Sequence, residues 1–302
     1  MARYKGIILA GGKGTRLYPV TNVASKQLLP IYNKPMIYYP LTTMLVSGVR
    51  EILIISSPED TPRFEALLGD GSQWGIRLEY AVQDAPRGIA EALVIGREFV
   101  GDDSVFLMLG DNLIYGRLDF LREAIRNNGA GATIFGYQVS DPTSFGVAEF
   151  DDTGRVLSLE EKPTNPRSNW AVPGLYIYGP GVADRAESLA PSGRGELEIT
   201  DLNRLYLNRG ELNCIPMGRG VAWLDTGTPE NLLEAAQFVM TIETRQGLLV
   251  GSPEEAAYRM GYLDSTGFAK AIEAMPASSA YRQTLARILS EPGVVTAVDE
   301  VA

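Results

Sequence analysis

Gly11, Gly12 and Gly14 open a loop that continues through Thr15, Arg16, Pro19, Lys26 and Pro30. Glycine accepts the sharp bends that turn successive backbone N–H groups toward an anion. Arg16 and Lys26 add positive charge within the same loop. Such a loop can hold a triphosphate and neutralise the charge that develops on it during transfer. It is not Gly-x-x-x-x-Gly-Lys-Ser/Thr, and Leu17 stands where a dinucleotide fingerprint has its third glycine. Neither of those phosphate loops applies.

Gly110-Asp111-Asn112 ends an apolar run, and Trp223-Leu224-Asp225-Thr226-Gly227 places a second carboxylate after another. Mg²⁺ takes one or two carboxylates together with substrate phosphates, so these aspartates suit it if the fold brings them together. Each alone also suits a turn or a helix cap. Lys162, in Leu159-Glu160-Glu161-Lys162-Pro163, sits at a strand end where proline turns the chain out of the sheet. Arg194 precedes the acid-rich helix start Gly195-Glu196-Leu197-Glu198. Taken alone, the first segment reads as a solvated charge cluster and the second as a helix start favoured by the dipole. The glycine-rich stretch 69–75 has no cation, Asp102-Asp103 reads as a turn, and Cys214 reads as core.

The chain of 302 residues is 45% hydrophobic and 21% charged, which excludes disordered and fibrous classes. Its net charge of −10 disfavours a nucleic-acid partner. The absence of histidine removes every His-based triad, base and metal cluster. A single cysteine fits a reducing compartment. No apolar run approaches the roughly 18–20 residues that span a bilayer, and no signal peptide precedes the first strand pattern, so a cytoplasmic location without a membrane partner is expected.

The elements that must position these residues alternate as in an α/β layer fold. Strands are expected at 6–10, 52–56, 105–109 and 133–137, with helices at 36–46, 89–99 and 118–128 between them. The glycine loop and Asp111 then follow strand ends, where such sheets bind ligands. Further on, 147–150 and 156–159 read as a small β-hairpin, 171–178 and 212–217 as strands, and 181–189 and 199–208 as helices. A long helix at 229–247 completes a catalytic domain over 1–247. Helical patterns at 253–260, 265–274 and 278–290 make 248–302 a C-terminal helical appendage for assembly or regulation.

The run from Gly6 to Pro19, with Ser25-Lys26-Gln27-Leu28-Leu29-Pro30, resembles the signature of the sugar-phosphate nucleotidyltransferase family, most of all its thymidylyl-transferring members. The likeness continues through 69–75, 110–112, 159–163, 194–201, 223–228 and 252–259, nearly the whole chain. It implies an α/β, Rossmann-like mixed sheet with helices on both faces. It also implies a Mg²⁺-dependent reaction of dTTP with glucose 1-phosphate, giving dTDP-glucose and pyrophosphate on the way to dTDP-rhamnose. By that analogy Arg16 and Lys26 bind the triphosphate and its leaving pyrophosphate. Leu9, Gly11, Gly12, Gly14, Thr15, Pro86 and Asp111 complete the nucleotide site, with Gln83 and Gly88 on the thymine edge. Asn112, Gly146, Glu161, Val172 and Tyr176 contact glucose, while Lys162 and Arg194 hold its phosphate. Asp111 and Asp225 hold the metal.

The resemblance further implies a homotetramer with a second nucleotide site at a subunit interface, used for inhibition by dTDP-rhamnose. Arg219, Glu255 and Arg259 match positions of that site. Phe145 replaces a usual tyrosine and Pro173 a usual threonine; Arg117 stands in place of a histidine, and Gly251-Ser252 departs from the usual pair. Intact catalysis with retuned or absent feedback is therefore expected. The rival readings are a nucleotidyltransferase using UTP or another hexose 1-phosphate, and a catalytically silent nucleotide-sugar sensor. Arg16, Lys26, Asp111, Lys162 and Asp225 together argue against the sensor, which has no need of leaving-group machinery.

Overall fold

The computed structural model describes residues 4–12 and 14–290; Lys13 of the glycine loop lies outside them. The chain begins with β1 (Tyr4–Leu9), the short strands β2 (Pro30–Ile31) and β3 (Lys34–Pro35), and α1 (Tyr38–Val46). Then come β4 (Glu51–Ser56), α2 (Thr61–Leu68), β5 (Arg77–Val82), α3 (Glu91–Ile95) and α4 (Arg97–Val100). β6 (Ser104–Leu109), β7 (Asn112–Tyr115), α5 (Asp119–Asn127) and β8 (Ala132–Gln138) follow. The second part holds β9 (Gly146–Phe150), β10 (Val156–Glu161), β11 (Trp170–Val172), β12 (Leu175–Tyr178), α6 (Val182–Glu187) and α7 (Ile199–Asn208). It ends with β13 (Leu212–Pro216), β14 (Ala222–Asp225), α8 (Pro229–Gln246), α9 (Pro253–Arg259), α10 (Ser265–Glu273) and α11 (Ala280–Ser290).

One mixed sheet runs in the order β10-β9-β11-β8-β12-β6-β1-β4-β5, with β13 beside β8. Its nucleus is parallel: β1 lies between β4 and β6, and β5 pairs with β4. β12 joins β6 antiparallel and begins the mixed half. Because successive side chains in a strand face opposite ways, the apolar runs feed two cores. Ile8, Ile52, Ile54, Phe106 and Met108 meet α1, α2 and α5 on one face. Ile7, Leu53, Ile55, Val105 and Leu107 meet α3, α6 and α7 on the other. This is the expected α/β architecture with helices on both faces.

Several local expectations change. The strand at 171–178 is two strands, because Pro173 has no N–H and the Gly174 N–H donates to Asn112 Oδ1 at 3.1 Å instead of to a ladder. The helix at 89–99 divides at Gly96, where a Cβ would come within 2.7 Å of Ile7. The helix expected from residue 36 begins at Tyr38, and β5 and α2 were not foreseen. Three helices follow one another in the expected 248–302 segment, of which residues 291–302 lie outside the described residues. Ala256 and Ala257 of α9 belong to the main core with α1, whereas Phe268, Ile272, Leu285 and Ile288 form a small cluster between α10 and α11.

A buried charge pair ties the β2–β3 hairpin to α8. Lys34 Nζ donates to Glu243 Oε1 at 2.6 Å, with the two side chains only 2% and 8% exposed. Glu243 also accepts from Asn33 Nδ2 at 2.8 Å and Val250 N at 2.9 Å. Burial pushes the Lys34 ammonium below its ordinary pKa, and the Glu243 carboxylate counters that push. Removing one member strands the other in a dry site. Glu243→Ala should therefore cost about 3–5 kcal/mol of unfolding free energy, read from urea denaturation. A loss under about 1 kcal/mol, the range of surface pairs, would show that water reaches Lys34.

Candidate active site

The carboxyl ends of β1 and β6 open into a cleft of about 820 Å³, closed on the far side by β10, β12 and the start of α7. Gly12 and Gly14 line it with φ values of 97° and 54°, a region that residues with a Cβ enter only under strain. Asp111 and Asn112 follow β6. Trp223 and Asp225 arrive on β14, which pairs antiparallel with β7 so that Asp225 lies opposite Asn112. That register brings the two aspartates, far apart in sequence, into one wall. Thr226 locks the arrangement by donating its hydroxyl to the Asp111 carbonyl at 2.8 Å.

The carboxylates differ electrostatically. Burial would raise the Asp111 carboxyl, but the Lys26 ammonium bonded to it and the Asn112 amide at 3.0 Å hold it below the ordinary range. Asp225 is pushed up, first by burial and then by the Asp111 charge, against the pull of Lys26 and Arg16. Two like charges in a desolvated wall repel one another, and Lys26 answers the first of them. Among the described residues Arg16 has no ion pair. Its guanidinium lies over Gly227, where a Cβ would fall 2.8 Å from Nη2.

The far side carries the second group of polar residues. Lys162 adopts a left-handed backbone, φ 44°, held by its N–H bond to the Phe145 carbonyl at 3.0 Å. Such a conformation costs a non-glycine residue about 1 kcal/mol or more, and it recurs at functional positions. The Lys162 Nζ lies 3.8 Å from Glu161 Oε1, and Glu161 Oε2 accepts from Thr200 at 2.6 Å. Arg194 is held by Glu198 at 2.9 Å, which raises its pKa further. Phe145 packs edge-on against Trp223 at 5.0 Å, and the Trp223 indole N–H donates to Asn112 Oδ1 at 2.6 Å.

A second hollow of about 480 Å³ adjoins the cleft at Gly12 and is lined by Ser25, Asp60, Arg63, Gln83 and Pro86, among others. The Gln83 amide nitrogen donates to the Gly88 carbonyl at 3.3 Å and to Glu91 Oε2 at 2.7 Å. Its Oε1 is left facing Gly11, 3.0 Å from where a Cβ there would be. Gly88 has φ +105° and sits so close to Leu197 that a Cβ would be 2.3 Å from the Leu197 carbonyl oxygen.

Gly12, Gly14, Thr15, Arg16, Lys26, Asp111, Asn112, Gly146, Glu161, Lys162, Val172, Tyr176, Arg194 and Asp225 thus converge on the main cleft. Gln83 and Pro86 face the adjoining hollow, and Gly11 and Gly88 reach it only through Gln83. Leu9 lines neither: its side chain is core, and its carbonyl accepts from Gly110 N at 2.9 Å. Thr226 and Trp223 were given no individual role from sequence. Their place within the Asp225 motif was the available signal.

Glu255 and Arg259 lie elsewhere, in a hollow of about 280 Å³ with Gly116, Asp119, Arg122 and Ser252. Arg219 is exposed and does not line it, although the neighbouring Gly220 packs against Gly116.

Known proteins resemble this chain in sequence and in fold. Residues 5–242 match the family model described as nucleotidyl transferase. A glucose-1-phosphate thymidylyltransferase of Xanthomonas campestris pv. campestris is 56% identical over 267 residues, 88% of this chain and 90% of the relative. One from Mycobacterium tuberculosis is 55% identical over 261 residues, 86% of this chain and 90% of that protein. A crystal structure of a candidate glucose-1-phosphate thymidylyltransferase from Bacillus anthracis, in complex with a sucrose, superposes with a TM-score of 0.73. It is 40% identical, covering 78% of this chain and 94% of that one. A UDP-glucose pyrophosphorylase complexed with UDP-glucose shares the fold, with a TM-score of 0.69 at 22% identity, covering 80% and 99% of the two chains.

Proposed function

Since the chain belongs to the nucleotidyl transferase family, we propose that it transfers a thymidylyl group from dTTP to glucose 1-phosphate, giving dTDP-glucose and pyrophosphate. The observation that carries this reading is the convergence of Arg16, Lys26 and Lys162 with Asp111 and Asp225 on one cleft. The sugar phosphate is already an anion, so no general base is needed to make the nucleophile. That accords with a chain lacking histidine. What remains is to hold a phosphate oxygen in line with the α-phosphorus and to cancel charge, which is how such transfers are catalysed.

Arg16 and Lys26 hold the triphosphate and the departing pyrophosphate, while Lys162 and Arg194 hold the sugar phosphate on the opposite side. Asp111 and Asp225 would bind Mg²⁺; their hard oxygens and the repulsion that raises Asp225 suit a divalent cation. Bound there, the ion would neutralise charge on the phosphates. Asn112, Gly146, Glu161, Val172 and Tyr176 surround the glucose.

Both hydrogen bonds donated by Gln83 are engaged, so its Oε1 offers an acceptor to a base. Thymine and uracil present an imino N–H to such an acceptor; cytosine presents a lone pair. A panel of nucleoside triphosphates should therefore show pyrophosphate release with dTTP, weaker release with UTP, and background with CTP. The thymine methyl, together with the ribose 2′-hydroxyl that UTP adds, sets the gap, at about 10–200-fold. No release with dTTP, glucose 1-phosphate and Mg²⁺ would leave only a nucleotide-sugar binding role.

The same reading makes the chain a cytoplasmic homotetramer with no nucleic-acid or membrane partner. Among the described residues no helix is long and apolar enough to cross a membrane. In the Glu255–Arg259 hollow each lining cation already has an acid, Arg122 with Asp119 at 2.7 Å and Arg259 with Glu255 at 2.6 Å. An entering diphosphate must compete with those carboxylates, so feedback by dTDP-rhamnose should be weak. Rate measured against added dTDP-rhamnose checks this, with light scattering on the same sample to establish the tetramer. Strong inhibition at low concentration would mean that the pairs open readily.

A further inference from the structure

Asn203 is a buried polar residue on a helix face that could have been apolar. It is 1% exposed, midway along α7 between Leu202 and Tyr206, both fully buried. Asparagine weakens a helix interior, and an amide out of water is costly unless it is hydrogen-bonded. Helical spacing puts Asn203 on the same face as Ile199 and Thr200, and all three line the sugar end of the cleft.

Half of the Asn203 amide is accounted for by the protein. Its Oδ1 accepts from the Tyr178 hydroxyl at 2.8 Å. Tyr178 stacks on Tyr176, with ring centroids 6.3 Å apart and planes within 13°, so the donor is fixed by the sheet. Burial keeps that phenol protonated, with its pKa pushed well up. The Asn203 nitrogen has no protein partner among the described residues. The unpartnered side-chain atoms sealed from solvent there are Thr42 Oγ1, Ser104 Oγ and the Tyr206 hydroxyl, and the Asn203 nitrogen is not with them. Asn203 lines the cleft, and this nitrogen is the polar atom it has left to offer there. Beside it the Thr200 hydroxyl is committed as a donor to Glu161. This stretch of wall thus offers an incoming polyol the carboxylate of Glu161 as acceptor and the amide of Asn203 as donor.

We infer that Asn203 Nδ2 donates a hydrogen bond to one ring hydroxyl of the hexose 1-phosphate, making it a specificity-determining residue held in aim by Tyr178. The inference rests on the function proposed above and sharpens it. A site built to hydrogen-bond a hydroxyl rejects the analogue lacking it, because its own buried group is then left unpaired.

Steady-state kinetics of the full chain with glucose 1-phosphate and its 2-, 3-, 4- and 6-deoxy analogues test it, in the wild type, Asn203→Leu and Asn203→Asp. Asp keeps an acceptor for Tyr178 but loses the amide donor, so it serves where Leu fails to fold. Each variant should raise KM for glucose 1-phosphate about tenfold and leave KM for dTTP unchanged. One deoxy analogue should be used about tenfold less well by the wild type, with that penalty absent in the variants. If every deoxy penalty survives in both variants, Asn203 only buttresses Tyr178 and the inference falls. If Asn203→Asp matches the wild type, the donor assignment falls. No turnover by the wild type would instead sink the proposed function.

Discussion

Asp111→Asn should slow pyrophosphate release by about a thousandfold, or roughly 4 kcal/mol of barrier, while the chain stays folded. The substitution keeps the shape of the side chain and its place after β6. It removes the charge that Lys26 and Asn112 hold in the ionised form. It also removes the like charge that raises Asp225, so one carboxylate is left to bind the cation. Asp225→Asn separates the possible causes. If the pair binds metal, both variants fall by similar factors and both need more Mg²⁺ to reach half their maximal rate. If Asp111 serves only to anchor Lys26, Asp225→Asn keeps most of its rate and its Mg²⁺ requirement is unchanged. Circular dichroism and thermal unfolding on the same preparations separate loss of chemistry from loss of fold.

The two aspartates also mark where sequence reasoning ends. Asp111 was legible because an apolar strand pattern runs into Gly110, and a residue beyond a strand end belongs to the crevice of such a sheet. Nothing local in Trp223–Thr226 shows that β14 pairs with β7, since strand pairing is non-local and a two-stranded ribbon has no crossover rule to place it. The alternating cores around β1, β4 and β6 were legible for the opposite reason, because continuous apolar runs are what strands covered on both faces require. β5 was missed because Arg77–Val82 is an edge strand with charged and polar positions, which carries little hydrophobic signal. Burial of Lys34 has no local signal at all. A lysine between asparagine and proline reads as a surface turn, and only the arrival of Glu243 from α8 explains why it is buried. Gly88 was assigned to base recognition, yet its first necessity is steric: the 84–90 loop docks so tightly on Leu197 that no side chain fits.

Lys162→Ala should reduce kcat/KM for glucose 1-phosphate by about a hundredfold and change KM for dTTP little. The asymmetry follows from position. Lys26 and Arg16 lie on the glycine-loop side of the cleft with Asp111 and Asp225, whereas Lys162 directly follows β10, beside Glu161. A charged hydrogen bond to an acceptor phosphate is worth about 1.5–3 kcal/mol, and it is lost only by the substrate that makes it. Truncation leaves alanine in the same left-handed backbone, so the strain already present at φ 44° is not relieved. Lys162→Arg distinguishes aim from charge. Guanidinium is a planar fork and ammonium a point donor, and the left-handed turn directs the stem toward a fixed spot. If arginine restores less than a tenth of the lost efficiency, the backbone conformation serves to aim the ammonium. Full restoration would mean that charge anywhere near Glu161 suffices. Equal weakening of dTTP and sugar phosphate in the alanine variant would move Lys162 to the triphosphate.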